Sequence, residues 1–451
     1  MKGKKKSREN WGSRLGFIMA TAGFSIGLGN IWRFSYVAGH NGGGAFLLIY
    51  LLIIAVIGIP IFLAETGLGR KVQTGIITGL RQLTRKGSPW VLFIGWLGIL
   101  AAGLIMSYYL MIMGWIFAYI FKVGLGTFNG ATTEQIAKIY EDLVSNPLAV
   151  IGYTLIPTLI IGLIVSRGVK NGIEKFVKIS MPILLIMLIL LAIYSLSLPG
   201  SMDGVVWYLK PDFSVITPKT FLEALGQVFF SLGIGLAGAF TYGSYLDPQN
   251  SDLVKDSVWV ISFDTTIAFL SGLVIFPALF AFQIAPDSGP GLLFLTIPNI
   301  LDKMPGGTIF GMMFFILVII AAITTAVGLI ETVSANTAEL LNLKRKTSVW
   351  LWLGVMFILA IPSILSHGPW AHIELFSKNI FELIDYVSGN ILLVLSGLFI
   401  SLYVVFKWKF QNFQHDINIG ATSIKITAIS KPVIQFVIPI AILIILVSGL
   451  L

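Results

Sequence analysis

Eleven apolar runs, each of about 20 residues or more, take up most of this chain: 12–37, 43–69, 90–122, 147–165, 173–198, 221–246, 257–283, 307–334, 348–366, 380–406 and 431–450. A run of that length crosses a hydrocarbon core as a helix, which satisfies its own backbone where there is no water. Composition agrees: of 451 residues 56% are hydrophobic and 11% charged, against about 45–50% and about 25% in soluble chains. The chain reads as an all-α polytopic membrane protein, a single membrane domain over 1–451. Cysteine is absent and the four histidines (His40, His367, His372, His415) are scattered, which excludes a disulfide scaffold and an imidazole or thiolate metal cluster. The first run has a basic start like a signal peptide. It carries Asn30 and Arg33, lacks a small-residue cleavage site and leads straight into a second run, so it is read as a span.

The net charge of +9 is a topology signal rather than a nucleic-acid signal. With the N-terminus in the cytoplasm, 23 of the 30 Lys and Arg residues fall on inside segments and span ends, among them Arg70–Lys71, Arg85–Lys86, Arg167 and Lys344–Arg345–Lys346. Six fall outside (Lys122, Lys138, Lys210, Lys219, Lys303, Lys378) and Arg33 lies within a span. The positive-inside rule predicts a cytoplasmic N-terminus and, after an odd number of spans, an outside C-terminus. Outer connections 123–146, 199–220 and 284–306 are long enough for short helices, and the last, with Pro286, Pro290, Pro298 and Pro305, suits a re-entrant lid.

Two runs carry glycine where a lipid-facing helix would not. The first reads Gly23-Phe24-Ser25-Ile26-Gly27-Leu28-Gly29-Asn30, and the sixth Phe230-Ser231-Leu232-Gly233-Ile234-Gly235-Leu236-Ala237-Gly238. Each glycine costs about 0.8–1.0 kcal/mol relative to alanine in a helix interior. Close helix packing also uses small residues, but the same Ser-apolar-Gly-apolar-Gly pattern recurs after 206 residues, five runs further on. Interruptions at matching places in two five-span halves predict a 5+5 inverted repeat with broken helices one and six and a transport site at the breaks. Spans 1–5 (12–198) form the first repeat, spans 6–10 (221–406) the second, and 431–450 is an extra C-terminal span.

The run Arg8-Glu-Asn-Trp11-Gly-Ser-Arg14-Leu-Gly16, followed by Gly23 through Asn30-Ile-Trp-Arg33-Phe34, closely resembles the first span of the neurotransmitter:sodium symporter family. So does Asn41-Gly42-Gly43-Gly44-Ala45-Phe46 at the start of span two. The likeness runs through span ten and is strongest to bacterial hydrophobic amino-acid transporters of the eleven-span type. It implies a multi-pass protein of the bacterial inner membrane that carries its substrate by alternating access, with two sodium ions as coupling ions and no other cofactor.

The resemblance places a first sodium between the two breaks, with the Ser25 carbonyl, Asn30, Ser231 and Asp264 as ligands. An aspartate at a span centre costs about 2.5–3.5 kcal/mol, and Asp264 is close enough to the span end to snorkel instead. Relatives with asparagine there recruit chloride, so an aspartate implies chloride independence. The second sodium would use the carbonyls of Gly23, Ile26 and Ala321 and the hydroxyls of Thr324 and Thr325, although such a pair also back-bonds to its own helix. Monoamine carriers of the family hold an amine with an aspartate in the first break. This chain has none, so a substrate carboxylate is expected at the Leu28 and Gly29 N–H groups, the first sodium and Tyr109. Ser25, Gly27, Ser231, Ile105, Phe230, Gly233, Leu236 and Leu329 complete an apolar pocket for a neutral hydrophobic L-amino acid, with Gly233 leaving room for an aromatic ring.

Arg33 and Asp385 are expected to pair as an outer gate, each being costly if buried alone. Arg8 with Glu339, and Trp11 with Ser244 and Tyr245, resemble the inner latch. Glu65 and Gln227 are expected to serve N–H groups freed at the span-six break. Gly172 and Pro182 have the spacing at which span five of relatives unwinds. The partners expected are thus a hydrophobic amino acid, sodium and the bilayer, without nucleic acid, in a functional monomer. A membrane enzyme would need convergent acids, bases or ligands, and the sequence has no HExxH, GxSxG or nucleotide loop. A channel would need a filter or a ring of charges. A non-transporting sensor of the same fold would keep every ligand above.

Overall fold

The structure, a computed structural model, describes residues 8–84, 89–284 and 293–450. Among these residues nine helices are long and apolar enough to cross a membrane: Gly44–Val72, Pro89–Gly124, Pro147–Ser166, Val169–Leu196, Leu253–Ala281, Gly307–Leu340, Arg345–Leu365, Ile380–Trp408 and Ala428–Leu450. They are spans two to five and seven to eleven. Span one is a bent pair, Arg14–Ser25 and Gly29–His40, whose halves meet at 58°. Span six is likewise in two pieces, Pro218–Ser231 and Gly238–Gly243.

Local chemistry sets the ends. The Ser13 side chain accepts the Gly16 N–H at 3.0 Å to open span one, and Asp252 accepts the Lys255 N–H at 3.1 Å to open span seven. Asn146 followed by Pro147 opens span four in the same manner. The apolar window of span eight is 78% buried and that of span eleven 28%, so span eight is central and span eleven lies at the rim.

The connections expected to hold short helices do so, at Thr133–Val144, Ser201–Leu209 and Thr296–Lys303. Pro286 and Pro290, with the stretch 285–292 of the segment read as a re-entrant lid, lie outside the described residues, as do Lys2 to Lys6 and Arg85–Lys86. Three elements went unforeseen because each is shorter than a membrane-length window: helices Ile76–Leu83 and Phe410–Ile417, and the hairpin Glu374–Leu375 with Lys378–Asn379. Arg70 at the end of span two ties the second of these helices down, donating to the carbonyls of Ser251 (3.0 Å), Ile419 (3.1 Å) and Asp416.

The two interruptions have backbone causes. Span one stops when Ile26 turns extended (φ −77°, ψ 100°). In span six Gly233 (φ 61°), Gly235 (φ 88°) and Ala237 (φ 58°) all take left-handed conformations, which glycine adopts without penalty. A side chain on Gly235 would also run into the Leu393 carbonyl of span ten. Gly235→Ala should therefore destabilise the protein by more than about 1 kcal/mol. Gly226→Ala, in the helical part of span six with open space around it, should be neutral or slightly stabilising. Thermal unfolding in detergent compares them, and equal midpoints would contradict this account of the break.

Candidate functional site

The helix Arg14–Ser25 ends inside the protein, so its last carbonyls have no helical N–H to accept. Two groups of polar atoms gather at this end. In the first, Asn30 Nδ2 donates to Asp264 Oδ1 at 2.8 Å and to Ser231 Oγ at 3.0 Å. Ser231 in turn lies 2.9 Å from Asp264 Oδ2, and Asn30 Oδ1 accepts the Gly27 N–H at 3.1 Å. Asn30, Ser231 and Asp264 are all buried. Asp264 is thus held by its neighbours rather than reaching for a membrane surface. Ser25 borders this region, and its buried Oγ has no protein partner among the described residues.

In the second group, Thr324 Oγ1 donates to the Ala321 carbonyl at 2.8 Å and approaches that of Ile26 at 3.4 Å. Thr325 Oγ1 lies 3.1 Å from the Ile26 carbonyl and 3.5 Å from that of Gly23. Five oxygens from spans one and eight therefore converge, the kind of donor set that a hard monovalent cation takes. A methyl placed on Gly23 would lie 3.3 Å from Met181 Sδ of span five, which closes this group from that side.

Beside the first break lies a small cavity of about 40 Å³, lined by Ser25, Gly27, Leu28, Gly29, Ile105, Tyr109, Phe230, Gly233, Leu236 and Leu329, as read from the sequence, and also by Phe24, Thr325 and Leu393. Ser231 is not among these residues; it faces the Asn30–Asp264 group instead. The room left by Gly233 is taken by Phe24, whose ring edge would sit 2.8 Å from a methyl placed on that glycine. Tyr109 accepts the Leu28 N–H at 3.3 Å, which leaves its own hydroxyl hydrogen free to donate.

A larger cavity of about 440 Å³ continues toward the face away from the N-terminus and shares Leu28, Gly29, Tyr109, Phe230 and Leu393 with the small one. Arg33 and Asp385 both line it, and no ion pair joins them among the described contacts. Arg33 is met in another way: it donates to Gln227 Oε1 at 3.0 Å, and its guanidinium lies 4.6 Å from the Phe230 ring centre. Gln227 also donates to the Gly29 carbonyl at 2.9 Å, so it serves the break of span one and not that of span six. Glu65 does serve span six, accepting the Gly235 N–H at 3.0 Å.

The N-terminal face is closed. Arg8 pairs with Glu339 at 2.8 Å and donates to Ser244 Oγ at 2.9 Å. Trp11 Nε1 donates to the Tyr242 carbonyl at 3.0 Å and its ring meets Tyr245 edge-on, so Ser244 is a partner of Arg8 and not of Trp11. Span five is helical through Gly172 and Pro182, and Gly172 is where the span-four carbonyl of Ile164 approaches too closely for a side chain. A set not foreseen lies nearby. Buried Glu331 accepts from Tyr245 at 2.6 Å and from Arg345 at 2.5 Å, while Arg345 also reaches Glu9 at 3.3 Å and the Val165 carbonyl at 2.9 Å. A carboxylate inside the apolar run of span eight was the available signal.

The Sodium:neurotransmitter symporter family matches residues 8–128 and 128–451. A crystal structure of MhsT in complex with L-phenylalanine superposes with a TM-score of 0.87 at 39% identity, covering 98% of this chain and 100% of that one. An uncharacterized sodium-dependent transporter of Haemophilus influenzae is 38% identical over 99% of each chain. The sodium-dependent transporter YhdH of Bacillus subtilis is 36% identical over 97% of each. The family resemblance and the all-helical membrane fold read from the sequence are borne out.

Removing one member of a buried ion pair costs about 3–5 kcal/mol because the other charge is stranded. Arg345→Ala should therefore lower the thermal midpoint in detergent sharply, and adding Glu331→Gln should recover most of the loss. A single variant as stable as the parent would show that Glu331 does not depend on Arg345.

Proposed function

The chain belongs to the sodium:neurotransmitter symporter family, and from that premise we propose that it imports neutral hydrophobic L-amino acids, aliphatic or aromatic, together with sodium and without chloride. It is a sodium-dependent membrane transporter and not an enzyme. The observation that carries the substrate reading is the small cavity beside the span-one break, whose lining side chains carry no charge. An amino acid would be held there through its ends once the walls move apart, since about 40 Å³ is less than its own volume: the carboxylate to the Tyr109 hydroxyl and the N–H groups at Leu28 and Gly29, the side chain among Ile105, Phe230, Leu236 and Leu329. The MhsT structure, which contains L-phenylalanine, supports the same class of substrate.

Sodium is cargo here. On this reading the first ion is taken between the Ser25 carbonyl, Asn30, Ser231 and Asp264, and touches the substrate carboxylate. The second is taken among Gly23, Ile26, Ala321, Thr324 and Thr325. Ion and substrate then stabilise each other, which is the thermodynamic content of coupling. Asp264 supplies in the protein the negative charge that chloride brings elsewhere in the family. Arg33 and Asp385, apart here across the larger cavity, would close over the substrate, and the contacts of Arg8, Trp11 and Glu339 would open in turn. Unwinding between Gly172 and Pro182 would withdraw Met181 from the second ion. The two halves, 12–198 and 221–406, are read as inverted repeats, with the N-terminus in the cytoplasm and the C-terminus outside, in a transporter that works as a monomer.

Uptake of a labelled hydrophobic amino-acid panel into proteoliposomes, driven by a sodium gradient with chloride replaced by gluconate, tests the proposal. Sodium-driven accumulation without chloride is expected. Binding without accumulation would make the chain a sensor, and dependence on chloride would overturn the role given to Asp264. Asp264→Asn should cut chloride-free uptake about tenfold or more, with partial recovery when chloride is added, since one unit charge is lost beside the ion in a low-dielectric site.

A further inference from the structure

Thr325 borders both the small cavity and the second group of oxygens, and no other residue named in either set does so. Its neighbour Thr324 is turned to its own helix through Ala321 at 2.8 Å and does not line the cavity. Across Gly27 from Thr325 stands the phenol of Tyr109. A methyl built on Gly27 would lie 2.5 Å from Thr325 Oγ1 and 3.1 Å from the Tyr109 oxygen, so the two hydroxyls face each other over a residue without a side chain. The Tyr109 oxygen already accepts the Leu28 N–H at 3.3 Å, and Thr325 spends its hydrogen on the Ile26 carbonyl at 3.1 Å.

A hydroxyl binds a cation through a lone pair, so its hydrogen must point away from the ion. A cation among the carbonyls of Gly23 and Ile26 takes up the acceptors that Thr325 uses in this structure. We propose that sodium bound there turns the Thr325 hydroxyl across Gly27 to the Tyr109 oxygen, and that Tyr109 then presents its own hydrogen to the carboxylate of the amino acid in the cavity. No proton changes owner; two O–H bonds rotate. The second ion, which does not touch the substrate, in this way strengthens its binding, and the substrate strengthens that of the ion by the same factor. Thr325 is then a positioning residue for the substrate as well as an ion ligand, and Gly27 is required because any side chain would block the exchange. The inference rests on the ion and substrate assignments proposed above.

A double-mutant cycle on the full-length protein in detergent tests it, with labelled L-phenylalanine as probe and sodium raised until it saturates each variant. Sodium titration without amino acid, followed by tryptophan fluorescence, sets that concentration and reads the ion site alone. Thr325→Val should weaken phenylalanine binding about tenfold, the scale of one hydrogen bond to a charged group. Thr325→Ser should stay within about twofold of the parent. In a Tyr109→Phe background Thr325→Val should add less than about twofold, because the relay is already cut. Thr325→Ala provides the same cycle if the valine variant does not fold. Equal losses with and without the Tyr109 hydroxyl would overturn the relay and leave the ion assignment standing. Failure of the unmutated chain to bind phenylalanine in a sodium-dependent way would overturn the functional reading, and the relay with it.

Discussion

A helix that breaks inside a bilayer exposes N–H and C=O groups that water cannot reach, and each costs several kcal/mol unless the protein answers it. This chain breaks two spans side by side, where Asn30 meets Ser231, and the surrounding architecture follows from how the breaks are answered. Glu65 of span two accepts at the span-six break. Gln227 of span six donates to Gly29, Asn30 folds back on Gly27, and Tyr109 of span three accepts from Leu28 at the span-one break. Thr324 and Thr325 of span eight take up the carbonyls that end the first half of span one. Spans two, three and eight are thus placed by backbone left over from spans one and six, which is why the most buried span stands beside the breaks.

Paired charge is distributed unevenly along the axis. On the N-terminal face Arg8 pairs with the exposed Glu339 at 2.8 Å, and Arg345 pairs with the buried Glu331 at 2.5 Å and the exposed Glu9 at 3.3 Å. On the other face Arg33 and Asp385 line a common cavity without meeting. Ion pairs that exclude water are the ones whose loss strands a charge, so the N-terminal face is fastened and the opposite one is not. Access from one side only is the asymmetry that alternating access requires, and on the gating proposed above an exchange of which set of charges is paired would reverse it.

Asp264 was legible as a carboxylate inside an apolar run that needs a reason to be there, whereas Asn30 and Ser231 were marked by the family resemblance, and the structure brings the three together. Partner choice was not legible. Arg33 and Asp385 were read as a pair because each is costly alone, yet Gln227 and the Phe230 ring meet that cost for Arg33. Gln227 was assigned to the wrong break, because either break has backbone to satisfy and only the fold says which is near. Phe24 and Leu393 line the cavity unannounced, since an apolar residue in an apolar run carries no signal. Arg345 looked like a topology cation until its distance to Glu331 was known.

The donor sets also bear on why a carrier would use helix ends rather than a cage of carboxylates. Every oxygen of the group proposed for the second ion already takes part in a hydrogen bond here, Thr324 with Ala321 and Thr325 with Ile26 and Gly23. A cation entering this group exchanges for bonds that exist and does not fill a void of unmet acceptors. The net gain is then the difference between two satisfied states, as for hydrogen bonds in folding generally, and the empty state is not penalised. A dedicated site of several carboxylates would bind more tightly but would leave strong self-repulsion behind on release. A transporter must return with its ion sites vacated, so a donor set that satisfies itself in the ion's absence suits repeated loading and unloading.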